Sequence, residues 1–152
     1  MISQKAKYAL RALVALAKAG DSLMIGEIAA RKRIPRKFLE QILLDLKRHG
    51  IVQSRRGKLG GYNLLMPPER ITYGQVLRII DGPIAPLPCL SRIAYRRCAD
   101  CDTEESCEIR RVFARVAESA REVLDRTTIA DSLAHLILAD DGEDEALELA
   151  RH

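Results

Sequence analysis

The chain has 152 residues, of which 47% are apolar, 30% charged and 4% aromatic, with no Trp, a composition that suits an ordinary globular protein with an aliphatic core. No apolar run reaches membrane-spanning length, and the N-terminus lacks the apolar core and cleavage site of a signal peptide; this excludes a membrane partner and points to the cytoplasm. The net charge of +4 hides a division: residues 1–70 carry 15 Lys and Arg against 5 Asp and Glu, residues 71–152 carry 10 against 16, so only the first half is built to meet a polyanion.

The spacing of Ala6, Ala9, Leu10, Leu13, Val14, Leu16 and Ala17 predicts a buried helix over residues 3–18, ended by the turn chemistry of Gly20-Asp21-Ser22. A second helix is expected at about 25–32, burying Ile25, Ile28 and Ala29. A third, at about 35–48, opens on Pro35 and turns Phe38, Leu39, Ile42, Leu43 and Leu46 inward. Two short helices with so tight a link make a helix-turn-helix. Short strands at 51–54 and 62–65 flank the cationic tip Arg55-Arg56-Gly57-Lys58-Leu59-Gly60-Gly61 and form a wing. Thr72 and Gln75 should cap a fourth helix through Ile80, stopped by Gly82-Pro83.

Residues 83–102, with three prolines, are expected to be irregular, and a loop of that length in a compact protein needs a reason to be ordered. Asp102 and Glu105 are candidates to cap a long helix at about 103–126, whose Ile109, Val112, Phe113, Val116, Ala120, Val123 and Leu124 form a seam that invites a partner helix. A short helix with Ile129, Leu133, Leu136 and Ile137 follows, then an acidic tail. The expected organisation is therefore mainly α: a winged helix-turn-helix DNA-binding domain (1–82), a cysteine-bearing sensor loop (83–102), a dimerisation helix with a short terminal helix (103–139) and a tail (140–152).

All four cysteines, Cys89, Cys98, Cys101 and Cys107, fall within nineteen residues around that loop. In a reducing compartment such a cluster suggests a metal centre over disulfides. Four thiolates fit an iron–sulfur cluster of the 2Fe–2S or 4Fe–4S type, and three with another ligand would also serve. Zinc would accept the same set, and a disulfide switch needs only one activated pair, which Arg96 and Arg97 beside Cys98 would favour. A thiol–disulfide oxidoreductase is the enzymatic alternative, but the βαβ pattern such motifs accompany is absent, so no enzyme is expected. His49, His135 and His152 are weak ligand candidates: a helix stop, a residue of the short terminal helix and the last residue.

Lys7-Tyr8-Ala9-Leu10, Phe38-Leu39-Glu40-Gln41, the run from Gly50-Ile51-Val52 to Arg56-Gly57, and Gly60-Gly61-Tyr62, followed by the cysteine loop, resemble the IscR, NsrR and RirA group of Rrf-type winged-helix regulators. The resemblance spans roughly residues 2–133 and implies a homodimer on a pseudo-palindromic double-stranded DNA operator, with an iron–sulfur cluster controlling affinity or site choice. The chain departs from the group's pattern in the wide gap between Cys89 and Cys101, in the additional Cys98, and in Arg110, which stands where one branch carries a His.

A recognition helix presents its first residues to base edges, here Arg36, Lys37, Glu40 and Gln41. Glu40 can accept from a cytosine amine and Gln41 can pair with adenine; a solvated surface is the rival for Glu40, but an acid beside so many bases would repel phosphate, which favours base reading. Arg56 is the candidate for a narrow minor groove, with Arg55 and Lys58 on phosphates. Ser3, Lys5 and Tyr8 could reach backbone oxygens from the start of the first helix, with a half-buried core role the rival for Tyr8.

Overall fold

Local chemistry sets the helix ends in the computed structural model, which describes residues 2–58 and 60–134. Helix α1 (Gln4–Ala19) starts where the Ser3 hydroxyl accepts from the Ala6 N–H at 2.9 Å, and stops at Gly20, whose φ of 68° lets its N–H reach back to the Leu16 carbonyl. Helix α2 (Ile25–Lys32) opens with the Met24 N–H donating to the Glu27 carboxylate at 2.8 Å. It ends on Arg33, the sole non-glycine residue with positive φ among the described residues, at 51°. That left-handed residue makes the tight turn into α3 (Arg36–Arg48).

The wing pairs β1 (Val52–Arg55) with β2 (Gly61–Leu64), antiparallel, with Val52 opposite Leu64 and Arg55 opposite Gly61. Leu23 adds a bridge to Tyr62 through reciprocal bonds of 2.9 and 2.8 Å, so the wing's return strand is anchored just ahead of α2. Gly61 permits this approach: its φ is 124°, and a Cβ there would lie 2.3 Å from the Leu23 carbonyl oxygen.

After a 3-10 turn at Pro68–Arg70 comes α4 (Tyr73–Ile80), capped by the Thr72 hydroxyl accepting from the Gln75 N–H at 3.1 Å. The core gathers Leu13, Leu16, Ile28, Leu39, Ile42, Leu43, Leu46, Ile51, Ile71, Val76 and Ile129. Ile129 belongs to a helical segment at 129–134 that follows the long helix α5 (Glu108–Arg126). The chain there rejoins the first unit: the Tyr73 N–H donates to the Thr127 carbonyl, and the Ile129 N–H to that of Ile71, both at 2.9 Å. A bidentate pair, Arg78 with Asp125 at 2.6 and 2.8 Å, staples α4 to α5 over Gly74, where any side chain would strike the Asp125 carboxylate.

Four expectations need correction. Helix α5 begins at Glu108, not near 103, because Thr103 and Ser106 bond one another and close a local turn. Neither Asp102 nor Glu105 caps it; the Cys107 sulfur accepts from the Arg110 N–H at 3.4 Å. Phe38 does not point inward: it is 53% exposed and rests edge-on against Tyr8, ring centroids 6.1 Å apart. The stretch expected to be irregular also contains a 3-10 turn, Pro88–Leu90. His135, Leu136, Ile137 and the acidic tail lie outside the described residues.

Candidate nucleic-acid interface and cysteine loop

Because Leu39, Ile42, Leu43 and Leu46 are buried, α3 must turn Arg36, Lys37, Glu40, Gln41, Lys47 and Arg48 outward. Arg36 Nε and Glu40 Oε1 form an i,i+4 pair at 3.2 Å, so Glu40 tempers its basic neighbour while both stay exposed. Asp45, half-buried one turn further on, accepts from Lys5 Nζ at 2.7 Å and from Gln41 Nε2 at 3.1 Å. The Lys5 ammonium, more than any other group, holds the Asp45 carboxyl below its usual range. One carboxylate thus joins the start of α1 to the outward face of α3.

Ser3 is committed twice: its hydroxyl caps α1 and also donates to the Asp81 carboxylate, and its N–H reaches the same carboxylate at 2.9 Å. Tyr8 is half-buried against Phe38. At the wing tip Arg55, Arg56 and Lys58 are exposed, and among the described residues their side chains make no hydrogen bond or ion pair. Gly57 (φ 102°) turns the tip, and Gly60 closes it with an N–H to the Gly57 carbonyl at 2.9 Å. Lys47 Nζ donates to Ser54 Oγ at 2.8 Å, coupling the end of α3 to the first wing strand.

The cysteine loop brings three of the four thiols into one neighbourhood. Cys101 lies near Cys107 and Cys98, and these sulfurs, Cys107 foremost, together with desolvation push its thiol up to about 11. Cys89 sits apart from that trio, buried in the 3-10 turn that packs on α5. Arg97 donates to the Cys101 and Asp102 carbonyls at 3.4 and 3.0 Å, and Tyr95 to Glu104 at 2.5 Å. Arg110 pairs with Glu104 at 3.4 Å, and its buried Nε has no partner among the described residues.

Arg121 clamps the near end of the loop. It is 8% exposed, and donates from Nε to the Ile84 carbonyl at 3.2 Å and from Nη2 to the Leu90 carbonyl at 2.6 Å. Together with Ala117 it forms the buried face of α5. The opposite face exposes Ile109, Val112, Phe113, Val116 and Val123, with a shallow trough between Val112, Val116, Ala120 and Val123. No described helix is long and apolar enough to cross a membrane.

The model of the Rrf2 family, described as iron-dependent transcriptional regulators, matches residues 2–135. This chain belongs to the Rrf2 family. Its relatives include an rrf2-like HTH-type transcriptional regulator of Rhodobacter capsulatus, 51% identical over 88% of this chain and 93% of that one. CymR of Bacillus subtilis is 34% identical over 95% of each chain. Among solved structures, that of CymR, the global cysteine regulator of B. subtilis, superposes with a TM-score of 0.73 at 31% identity, covering 89% of this chain and 97% of CymR. T. potens IscR gives 0.71 at 28%, covering 90% and 88%.

The fold of this Rrf2 regulator is accordingly the winged helix-turn-helix of those structures, and its family is one of transcriptional regulators, not enzymes. Sequence reasoning had passed over Asp45 and Arg121. Asp45 lies four residues after Gln41, a helical spacing that hints at one of its bonds; nothing in the sequence marks Lys5 as the other partner. Arg121 stands among the apolar positions of α5 as a charged residue on its inward side, a break in pattern that could have flagged it.

Proposed function

We propose that the chain works as a homodimer that sets two α3 helices and two wings on a pseudo-palindromic operator, with its grip on DNA governed by an iron–sulfur cluster held by the cysteine loop. The observation that carries this reading is the nearness of Cys101 to both Cys107 and Cys98 at the head of α5, a helix with an apolar, exposed face. An apolar stripe of this length on a charged chain suits burial against a second copy. Arg36, Lys37 and Gln41 face base edges, Arg56 the minor groove, and Arg55, Lys58 and Lys5 the phosphates. Ser3 and Tyr8 contribute by fixing the start of α1.

The donor set suits such a cluster. Cys101 lies near both Cys107 and Cys98, whose sulfurs raise its thiol; thiolate ligation would reverse that balance. The described ligating side chains do not yet converge in threes on one point, and residues 98–106 form no helix or strand that would resist drawing the sulfurs together. What an iron–sulfur cluster supplies is a redox-sensitive anchor made of thiolate bonds. The chain's own part is to transmit the loop's position. Cys107 caps α5, Arg121 fastens residues 84 and 90 to the same helix, and Asp125 fastens that helix to α4. Half-sites about 34 Å apart tolerate little change in the spacing of two recognition helices, so a small displacement at α5 becomes a large change in affinity.

Protein purified without oxygen should contain iron and acid-labile sulfide, and Cys101→Ala and Cys107→Ala should lose both and alter operator binding while leaving the dimer intact. Stoichiometric zinc in place of iron would assign the thiols a structural metal. Metal-free protein with a disulfide between Cys101 and either neighbour would assign a thiol switch, which their proximity also permits.

A further inference from the structure

The chemistry of one carboxylate limits what the recognition helix can read. Asp45 divides its two oxygens: Oδ2 accepts from Lys5 Nζ at 2.7 Å and Oδ1 from Gln41 Nε2 at 3.1 Å, with an Arg48 nitrogen 3.9 Å from Oδ1. An ionised carboxylate only accepts, so the nitrogen of Gln41, never its oxygen, must face Asp45. Lys5 favours the ionised carboxylate without being needed to orient it, and the His49 ring bonds the Asp45 carbonyl at 2.8 Å, steadying this turn of α3.

The Gln41 amide is then left with one N–H and its Oε1 for another partner. One donor beside one acceptor complements the N7 acceptor and N6 donor that adenine shows in the major groove. Guanine shows two acceptors, N7 and O6, and would set O6 against Oε1. A glutamine free to turn its amide could offer both hydrogens to guanine. One with a hydrogen already given to Asp45 cannot.

We infer that Asp45 is a positioning residue for sequence recognition, orienting the Gln41 amide so that this helix accepts adenine and rejects guanine at one base pair of each half-site. The inference rests on the proposed reading of DNA by α3 and deepens it. Lys5 has a separate role, since its ammonium retains further donors for phosphate while it holds the carboxylate.

The test selects bound duplexes from a randomised DNA pool with the full chain and with Asp45→Ala, Gln41→Ala and Lys5→Ala, each checked by thermal melting. The expected result for Asp45→Ala is a fall of about tenfold in the adenine-over-guanine preference at a single position, within what one bidentate base contact supplies. Gln41→Ala should erase the preference at that same position, and Lys5→Ala should weaken all sequences alike while keeping it. If Asp45→Ala keeps the full preference while Gln41→Ala loses it, Gln41 reads unaided and the inference fails, though DNA reading by α3 survives. If Gln41→Ala changes no position, the base-reading role and the inference fall together. A uniform loss of binding by Asp45→Ala with a lowered melting temperature would make Asp45 a support of the fold, and would equally overturn the inference.

Discussion

Replacing Arg121 by Met should release the near end of the cysteine loop from α5. The two side chains share an unbranched stem, so packing along the helix is largely kept and the change falls on the polar contacts. Two hydrogen bonds from the guanidinium are lost, at 3.2 Å to Ile84 and 2.6 Å to Leu90. Bonds from a charged donor contribute about 1.5–3 kcal/mol each. The Glu118 contact, at 3.6 Å to a carboxylate that is 63% exposed, adds next to nothing. Because a freed loop can expose its carbonyls to water, the loss falls at or just below the lower end of the sum, about 2–3 kcal/mol. For a chain of this size that corresponds to a melting temperature lower by roughly 5–10 °C. Hydrogen exchange should quicken across residues 84–96, where the Arg96 N–H currently holds the Pro88 carbonyl at 3.2 Å, and should stay slow in the core of α1 and α3. Arg121→Lys should recover part of the loss through a single ammonium. Melting and exchange indistinguishable from the parent would refute the clamp.

Three further outcomes follow from the same geometry. Val116→Glu, in the middle of the exposed apolar face of α5, should give a monomer by light scattering with unchanged helicity; an unaltered mass would remove α5 from the interface. Gly61→Ala, at φ 124° and 2.3 Å from the Leu23 carbonyl, should cost about 2 kcal/mol or more in urea unfolding, and a neutral result would mean the wing does not need the Leu23–Tyr62 bridge. Asp45 and Asp125 are held below the ordinary carboxylate range by bonds from Lys5 and Arg78, so each binds fewer protons folded than unfolded. Their stabilisation is complete above about pH 5 and is lost as pH falls through their native values; urea midpoints should decline in that acid range, and Asp125→Asn should remove part of the decline.

What the sequence disclosed were features written in neighbouring residues. Gly20, Pro35, Gly50, Thr72 and the glycines of the wing each act within four positions, so α1 to α4 and the hairpin emerge within a residue or two of their expected ends. The winged helix-turn-helix was legible for that reason, as was the exposed seam of α5, whose apolar period is long. The start of α5 was misjudged because Thr103 and Ser106 satisfy each other and outcompete the acidic caps read from their neighbours. Phe38 was misjudged because it sits at the margin of the apolar stripe, where Tyr8 offers an edge but no enclosure. The links that join distant parts, Lys5 to Asp45, Arg78 to Asp125 and Arg121 to Ile84 and Leu90, were illegible, since each depends on which elements the fold brings together.

Ile129 carries a consequence for how the molecule is made. It is fully buried among side chains from α1 to α4, yet it is encoded after the whole of α5. During synthesis α1 to α4 emerge from the ribosome long before the residue that plugs their interior. A shortened product ending at Pro83 would have a hole at its centre, so the first four helices and the segment beyond α5 complete one core together.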